Sequence, residues 1–408
     1  MRTDEVRWLF ALTLVLAAAC DAGEETSDRG ATGGASTGGV ASTTGGTQAA
    51  TGGASTGGMA VTATPFPFPQ SKKPPNCNLT TVGNAPALVK AAYQSWVAAF
   101  VSPSGSALRV RRPNNQDDTV SEGIAYGMLA AVYMADRATF DGLWAYAKAH
   151  SNSNKLMSWH ITSSGTALDV GSAADADEDM AWALLGASAQ WGSDTYLTDA
   201  RGVINAMYTT SIASDGRLKP GDGWGNTNDT FPDYFSPAYY RVFAKISNNP
   251  NWSGAIIDRN YEILQKSSGM YGLVPDKTTG DYMPTGETKD YRYDACRTPW
   301  RIAMDYCFNG EPRALEYLQK IGPFFNNIGA PNIVDGYSAN GNPLGSVHNM
   351  AFIGPAGVAG MVAHQKLLDD AFTFGTNSTG GDTNYYPQSL RVISLLMMSG
   401  NFIDFTKL

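Results

Sequence analysis

Asp175-Ala-Asp-Glu-Asp-Met-Ala-Trp-Ala-Leu-Leu-Gly-Ala-Ser-Ala189 is the stretch on which the fold turns. From Ala181 onward it is apolar nearly all round, which a helix tolerates only when neighbours cover every side. Tyr126, Met128, Leu129, Val132 and Tyr133 show helical spacing as well. Extending the same pattern predicts twelve helices, near 85–101, 121–136, 138–150, 176–192, 195–212, 237–248, 253–268, 298–309, 311–325, 347–362, 364–374 and 387–399. In six hairpins, with the more apolar member inside, they make an all-α fold, an (α/α)6 barrel.

Start signals fall on the even helices. Thr119-x-x-Glu122 and Asp175-x-x-Glu178 read as capping boxes. Ser236-Pro237, Thr298-Pro299 and Tyr386-Pro387 place proline at the first helical position. Long connections precede these helices, around 102–118, 151–174, 213–235, 269–297, 326–346 and 375–386, and loops of that length are usually functional. If successive helices run up and down, the even starts share one end of the molecule. Glu122, Asp175, Tyr234 and Asp294 would then converge there.

The 408 residues suffice for one large core. Only 16% are charged and the net charge is −8, which argues against nucleic acid or anionic lipid as a partner. Arg2 and Arg7 precede a short apolar run from Trp8 to Ala19, too short to span a bilayer, so residues 1–19 read as an export signal. Leu16-Ala-Ala-Ala-Cys20 resembles a bacterial lipobox, which would make Cys20 the lipidation site. Simple secretion is the plainer alternative. Residues 27–63 are almost wholly Gly, Ala, Ser and Thr, with Ala31 to Gly39 repeated at Ala50 to Gly58. Such a segment cannot bury enough apolar surface to order itself. From Cys20, about 45 flexible residues reach roughly 35–40 Å. Five prolines between Pro65 and Pro75 read as a stiffer spacer, so 20–76 is a linker and 77–408 the globular domain.

Cys296 and Cys307 lie too far apart along one helical segment to bond each other, and a bridge from Cys77 to either stays open. No cysteine–histidine spacing suits zinc. Asp175-x-Asp177-x-Asp179 fails as a calcium loop, because Met180 stands where glycine is needed and Gly186 where a carboxylate is. No metal or cofactor is expected.

Ser121-Glu-Gly-Ile-Ala-Tyr-Gly-Met128, Leu156-Met-Ser-Trp159 and Ser172 to Leu185 resemble glycoside hydrolase family 8. So do Leu218-Lys-Pro-Gly-Asp-Gly-Trp224, Tyr234-Phe-Ser-Pro-Ala-Tyr-Tyr240, Tyr293-Asp-Ala-Cys-Arg-Thr-Pro-Trp-Arg301, Ala351 to Val358 and Ser389 to Phe402, in family order. The resemblance implies an (α/α)6 barrel that cleaves β-1,4-linked glycans with inversion, with Glu122 as general acid and Asp294 as general base. It gives Asp175 the role of holding a distorted sugar, although the usual Thr-Asp-Gly-Asp is Ala174-Asp-Ala-Asp177 here. Without the resemblance, Glu122 is a capping-box partner, Asp175 an N-cap, and Asp294 a turn residue or ion-pair partner of Arg297.

Trp159, Trp224, Tyr234 and Tyr293 would offer flat faces to pyranose rings. Arg297 could pair with Asp294 or a sugar hydroxyl. Trp96, Trp144 and Trp182 read as core, and His348 as a structural histidine or a residue at the same end. The Asp-x-Asp-x-Asp run and Tyr385-Tyr386 are similar to cellulase-type members rather than the xylanases, whose run reads Asp-Gly-Glu-Glu. The expected substrate is therefore cellulose-like or mixed-linkage β-glucan, with xylan or chitosan as the alternative. A terpene cyclase is disfavoured by the export signal and the Asp294 motif, and a dead glycan-binding lipoprotein by the presence of both acids.

Overall fold

The computed structural model describes residues 61–81, 85–286, 289–377 and 383–408. The expected signal peptide, Cys20 and the Gly/Ser/Thr/Ala stretch as far as residue 60 lie outside the described residues. Within them the chain runs through α1 (Pro86–Phe100), α2 (Ser121–Tyr133), α3 (Arg137–Ala149), α4 (Ala174–Trp191), α5 (Asp194–Thr210) and α6 (Pro237–Ser247). It continues through α7 (Ala255–Ser267), α8 (Thr298–Asn309), α9 (Pro312–Ile328), α10 (Met350–Gly360), α11 (Gln365–Thr376) and α12 (Tyr385–Met398).

Burial sorts these helices into two rings. Seventeen of the eighteen residues of α4 are buried against six of seventeen in its successor α5, so α4 is inside and α5 outside. The same contrast separates α2, α6, α8, α10 and α12 from α1, α3, α7, α9 and α11. Around the inner ring α12 packs on α2, α2 on α4, α6 on α8, α8 on α10 and α10 on α12. Between α4 and α6 the ring closes where Trp182 stacks on Tyr239, with centroids 4.5 Å apart. The buried Trp182 indole donates to the Tyr133 hydroxyl at 3.0 Å, so its one polar atom is satisfied. This is an (α/α)6 barrel. Trp96 and Trp144 are core residues too.

Several helix starts differ from the sequence expectation. Neither capping box forms: Val120 and Ala173 are the N-caps of α2 and α4, and neither supplies a side-chain hydrogen bond. Glu122, Asp175 and Glu178 have stronger partners, described below, and charge-assisted bonds outcompete a local cap. Pro387 is the third residue of α12 rather than the first. α10 begins at Met350, because the Asn349 side chain caps it by accepting from Ala351 N–H. The long connections also carry short antiparallel ribbons, such as Thr119–Val120 with His160–Ile161 and Ala167–Asp169. Strands of two or three residues leave no period in a sequence.

The proline-rich segment is not a spacer. Phe66 is buried against Phe405, and the Gln190 carboxamide pairs with both the N–H and the carbonyl of Phe66. Gln70 donates to the Tyr133 carbonyl, and Asn76 N–H to that of Cys307. The strap crosses the pole where the inner helices end and is fastened by a Cys77–Cys307 disulfide, with Cα atoms 4.7 Å apart. Cys296 remains a buried free thiol.

A bridge across 230 residues of chain removes much unfolded-state entropy, worth roughly 5 kcal/mol in the loop-closure model. It joins α8 near its far end, about 14 Å along the axis from the start of that helix. We therefore expect Cys77→Ser/Cys307→Ser to lower the melting midpoint by at least about 5 °C while leaving catalysis at 25 °C within about twofold. Calorimetry and a rate assay on the same samples decide this; an unmoved midpoint would contradict it.

Candidate active site

Every inner helix brings a residue to one cluster at its N-terminal end. Glu122 is the second residue of α2 and Asp175 the second of α4. Asp233 and Tyr234 lie in the turn before α6, and Asp294 and Arg297 in the turn before α8. Asn349 caps α10, and Tyr385 and Tyr386 open α12.

At the centre is the Arg297 guanidinium, 1% exposed. Its Nη1 donates to Glu122 Oε2 at 2.7 Å and to Asp175 Oδ2 at 2.8 Å. Its Nη2 donates to Asp294 Oδ1 at 3.0 Å. Nη2 also lies 2.6 Å from Asp233 Oδ2, an ion pair without hydrogen-bond alignment. One cation thus faces four carboxylates, and the surplus of negative charge falls on groups already removed from water. Glu122 is pushed up to about 7, first by burial and then by Asp175 and Asp294, against the pull of Arg297. Burial also raises Asp233 well above the usual carboxylate range. Asp294 is raised mainly by burial, with Arg297 opposing, yet 43% of its side chain is open. Protein surrounds it on most sides and solvent reaches it from one.

Glu122 Oε1 accepts from the Tyr385 hydroxyl at 3.0 Å. A Cβ on Gly123 would sit 2.8 Å from that hydroxyl oxygen, so the glycine leaves space for the contact. The other acids of the α4 run are divided among separate partners. Asp179 forms a forked pair with Arg301, Glu178 accepts from Tyr240, and Asp177 from Ser172. Successive helical residues point about 100° apart, which is why the run makes no single ligand cage.

The aromatics flank the cluster. Trp159, Trp224, Phe231 and Tyr234 line a cleft of about 340 Å³ together with Ser172 and Pro220. Arg297 lies over the Tyr234 ring, 5.3 Å from its centroid, which joins the cleft to the carboxylates. The Trp224 loop is pinned to the start of α4: Ala174 N–H donates to the Pro220 carbonyl and Ser172 N–H to Asp222 Oδ1. A Cβ at Gly221 would fall 1.8 Å from the Ser172 carbonyl oxygen, so only glycine permits that approach. Beyond Asp294, Tyr293 is 40% exposed and its carbonyl accepts from the Tyr386 hydroxyl. His348 sits just before α10, with Nδ1 2.7 Å from the Ile333 carbonyl.

The structure brings Glu122, Asp175, Asp294 and Arg297 into one cluster, with Tyr234 against Arg297, Trp159 and Trp224 in the adjoining cleft, and Tyr293 next to Asp294. Sequence reasoning missed Asp233 and gave Tyr385 and Tyr386 no site role. Asp233 directly precedes a motif residue, and both tyrosines stand at an even helix start. Position within the repeating hairpin was the available signal.

The family model "Glycosyl hydrolases family 8" matches residues 66–400. The chain belongs to that family and is an enzyme that hydrolyses glycosidic bonds. It is 37% identical over 364 residues to Endoglucanase 2 of Ruminiclostridium josui, covering 83% of this chain and 78% of the relative. It is 38% identical to Endoglucanase A of Acetivibrio thermocellus, covering 78% and 70% respectively. Among solved structures, the apo β-1,3-1,4-glucanase from Paenibacillus sp. X4 superposes with a TM-score of 0.76 at 32% identity, over 82% of this chain and 98% of that one.

Removing Arg297 would strand buried carboxylates. We expect Arg297→Gln to cost about 3–5 kcal/mol at pH 7. The carboxylates it leaves would titrate higher in the folded than in the unfolded state, so the deficit should shrink toward pH 4, where they bind protons. Urea unfolding at both pH values measures this; an equal deficit at each would exclude pairing as the cause.

Proposed function

We propose that this enzyme cleaves internal β-1,4-glucosidic bonds of cellulose-like or mixed-linkage β-glucan with inversion of configuration. Glu122 is the general acid, Asp294 the general base, and Asp175 the residue that holds the sugar undergoing cleavage. One observation carries the assignment: Glu122 and Asp294 grip opposite nitrogens of one guanidinium. Their gripping oxygens then lie no more than about 8 Å apart, within reach of one glycosidic bond, and inversion is expected of a pair that stands roughly 6.5–9.5 Å apart to admit a water.

The environments support the division of labour. A carboxyl held near neutrality keeps a proton to give to the leaving oxygen, which fits Glu122. Asp294 is open to the groove and paired with Arg297, which favours the ionised form that activates water. Trp159, Trp224, Tyr234 and Tyr293 offer faces for pyranose C–H surfaces on both sides of the pair. The glucanase names of the relatives favour a glucan over xylan or chitosan. We further propose export with a lipid anchor at Cys20; the Cys77–Cys307 bridge supports an oxidising compartment. Palmitate labelling abolished by Cys20→Ser would test the anchor, and labelling that survives would refute it.

Glu122→Gln and Asp294→Asn should each lower kcat by several orders of magnitude in folded protein; near-normal turnover in either removes that residue from its role. Proton NMR of fresh product should show the α-anomer before mutarotation, whereas initial β-anomer would mean retention. Reducing-sugar release from carboxymethylcellulose and lichenan should exceed that from xylan and chitosan. Because Glu122 must be protonated, activity should fall as pH rises through about 7. A plateau extending well above pH 8 would contradict the assignment.

A further inference from the structure

Asp294 has no side-chain cap of its own beneath it. The turn that carries it, Arg292 to Arg297, is closed by Cys296 N–H on the Arg292 carbonyl and Arg297 N–H on the Asp294 carbonyl. Two further amides of that turn, on Arg292 and Ala295, both donate to Asp276 Oδ1 at 2.9 Å. Asp276 comes from a connection 16 to 19 residues upstream and is 6% exposed. A remote carboxylate thus caps the turn on both sides of Asp294.

We propose that Asp276 is a positioning residue for the water-activating group: it fixes the Asp294 backbone through two amide bonds. This rests on the assignment of Asp294 as general base. Among the described residues the amides satisfy only one oxygen of Asp276, and no cation is bonded to it. Its electrostatic neighbours are Asp294, Asp233 and the distal charge of Arg297, with Cys296 and Tyr291 nearby. Burial and Asp294 together push Asp276 up to about 7. On the acidic side of neutrality Asp276 therefore carries its proton, and what it gives the Asp294 carboxylate is position. The bonds hold that carboxylate at the distance a water requires, where a displacement of 1 Å can cost about a hundredfold in rate.

Two substitutions test the amide bonds. Asp276→Asn keeps a carbonyl oxygen that can accept from both amides; Asp276→Ala removes it. With lichenan as substrate, Asp276→Ala should lower kcat by roughly 30- to 100-fold with KM within about threefold. Asp276→Asn should recover most of that loss, because its carbonyl oxygen can still accept from both amides. A merely structural residue would not give a loss confined to kcat that asparagine restores. Circular dichroism and the melting midpoint verify folding; if the alanine variant does not fold, Asp276→Ser, whose hydroxyl is too short to span both amides, takes its place. The proposal is overturned if the folded alanine or serine variant retains kcat within twofold, or if folded Asp276→Asn is no more active than it. Asp294→Asn measured in parallel keeps the two ideas apart. Near-normal turnover there removes the base assignment itself, while an inactive Asp294→Asn beside an unaffected Asp276→Ala removes only the positioning role.

Discussion

The Arg297 guanidinium is the contact on which the site depends. It takes carboxylates from α2, α4 and the turns before α6 and α8, so a single buried cation holds together the mouths of four inner helices. Burying one arginine among four acids is unfavourable by desolvation and is offset only because every charge has a near partner. The excess negative charge has a chemical consequence: some carboxyl must hold a proton near neutral pH. Glu122, in contact with a tyrosine hydroxyl and facing the groove, is placed to hold it.

The inner ring makes this economy possible. Six helices run the same way through the barrel, so six N-termini open at one pole. α4 shows both demands on an inner helix, with acids in its first two turns and small or apolar residues beyond. Arg301 pairs with Asp179 and Tyr240 donates to Glu178, so the acids that point into the core have partners of their own, while Asp175 turns to Arg297. The opposite pole is sealed by the strap from Phe66 to Cys77. The carboxylate cluster and the covalent fastening therefore sit at different ends, where constraint at one need not restrict motion at the other.

Much of the barrel was legible in the chain. Twelve helical segments and their inner or outer character follow from apolar spacing, because a helix covered on all sides cannot hide its lack of polar residues. The long connections before even helices pointed to the pole that bears the site. Local start signals were less reliable. Thr119-x-x-Glu122 and Asp175-x-x-Glu178 satisfy the capping pattern, yet Glu122 and Asp175 turn to Arg297 and Glu178 to Tyr240. The prolines from 65 to 75 suggested a spacer because sequence gives no sign that Phe66 has a pocket to enter.

By itself the sequence determined the repeating helical hairpins, the all-apolar inner faces, and which carboxylates and aromatics stand at helix starts, since these depend on residues near one another in the chain. Only the tertiary structure decided that Asp233 and Asp276 join the site, that Cys77 pairs with Cys307 rather than Cys296, and that one arginine serves four acids. Those pairings join residues up to 230 positions apart. Nothing in local spacing encodes them; they exist because closing the ring brings six remote helix ends within reach of a single guanidinium.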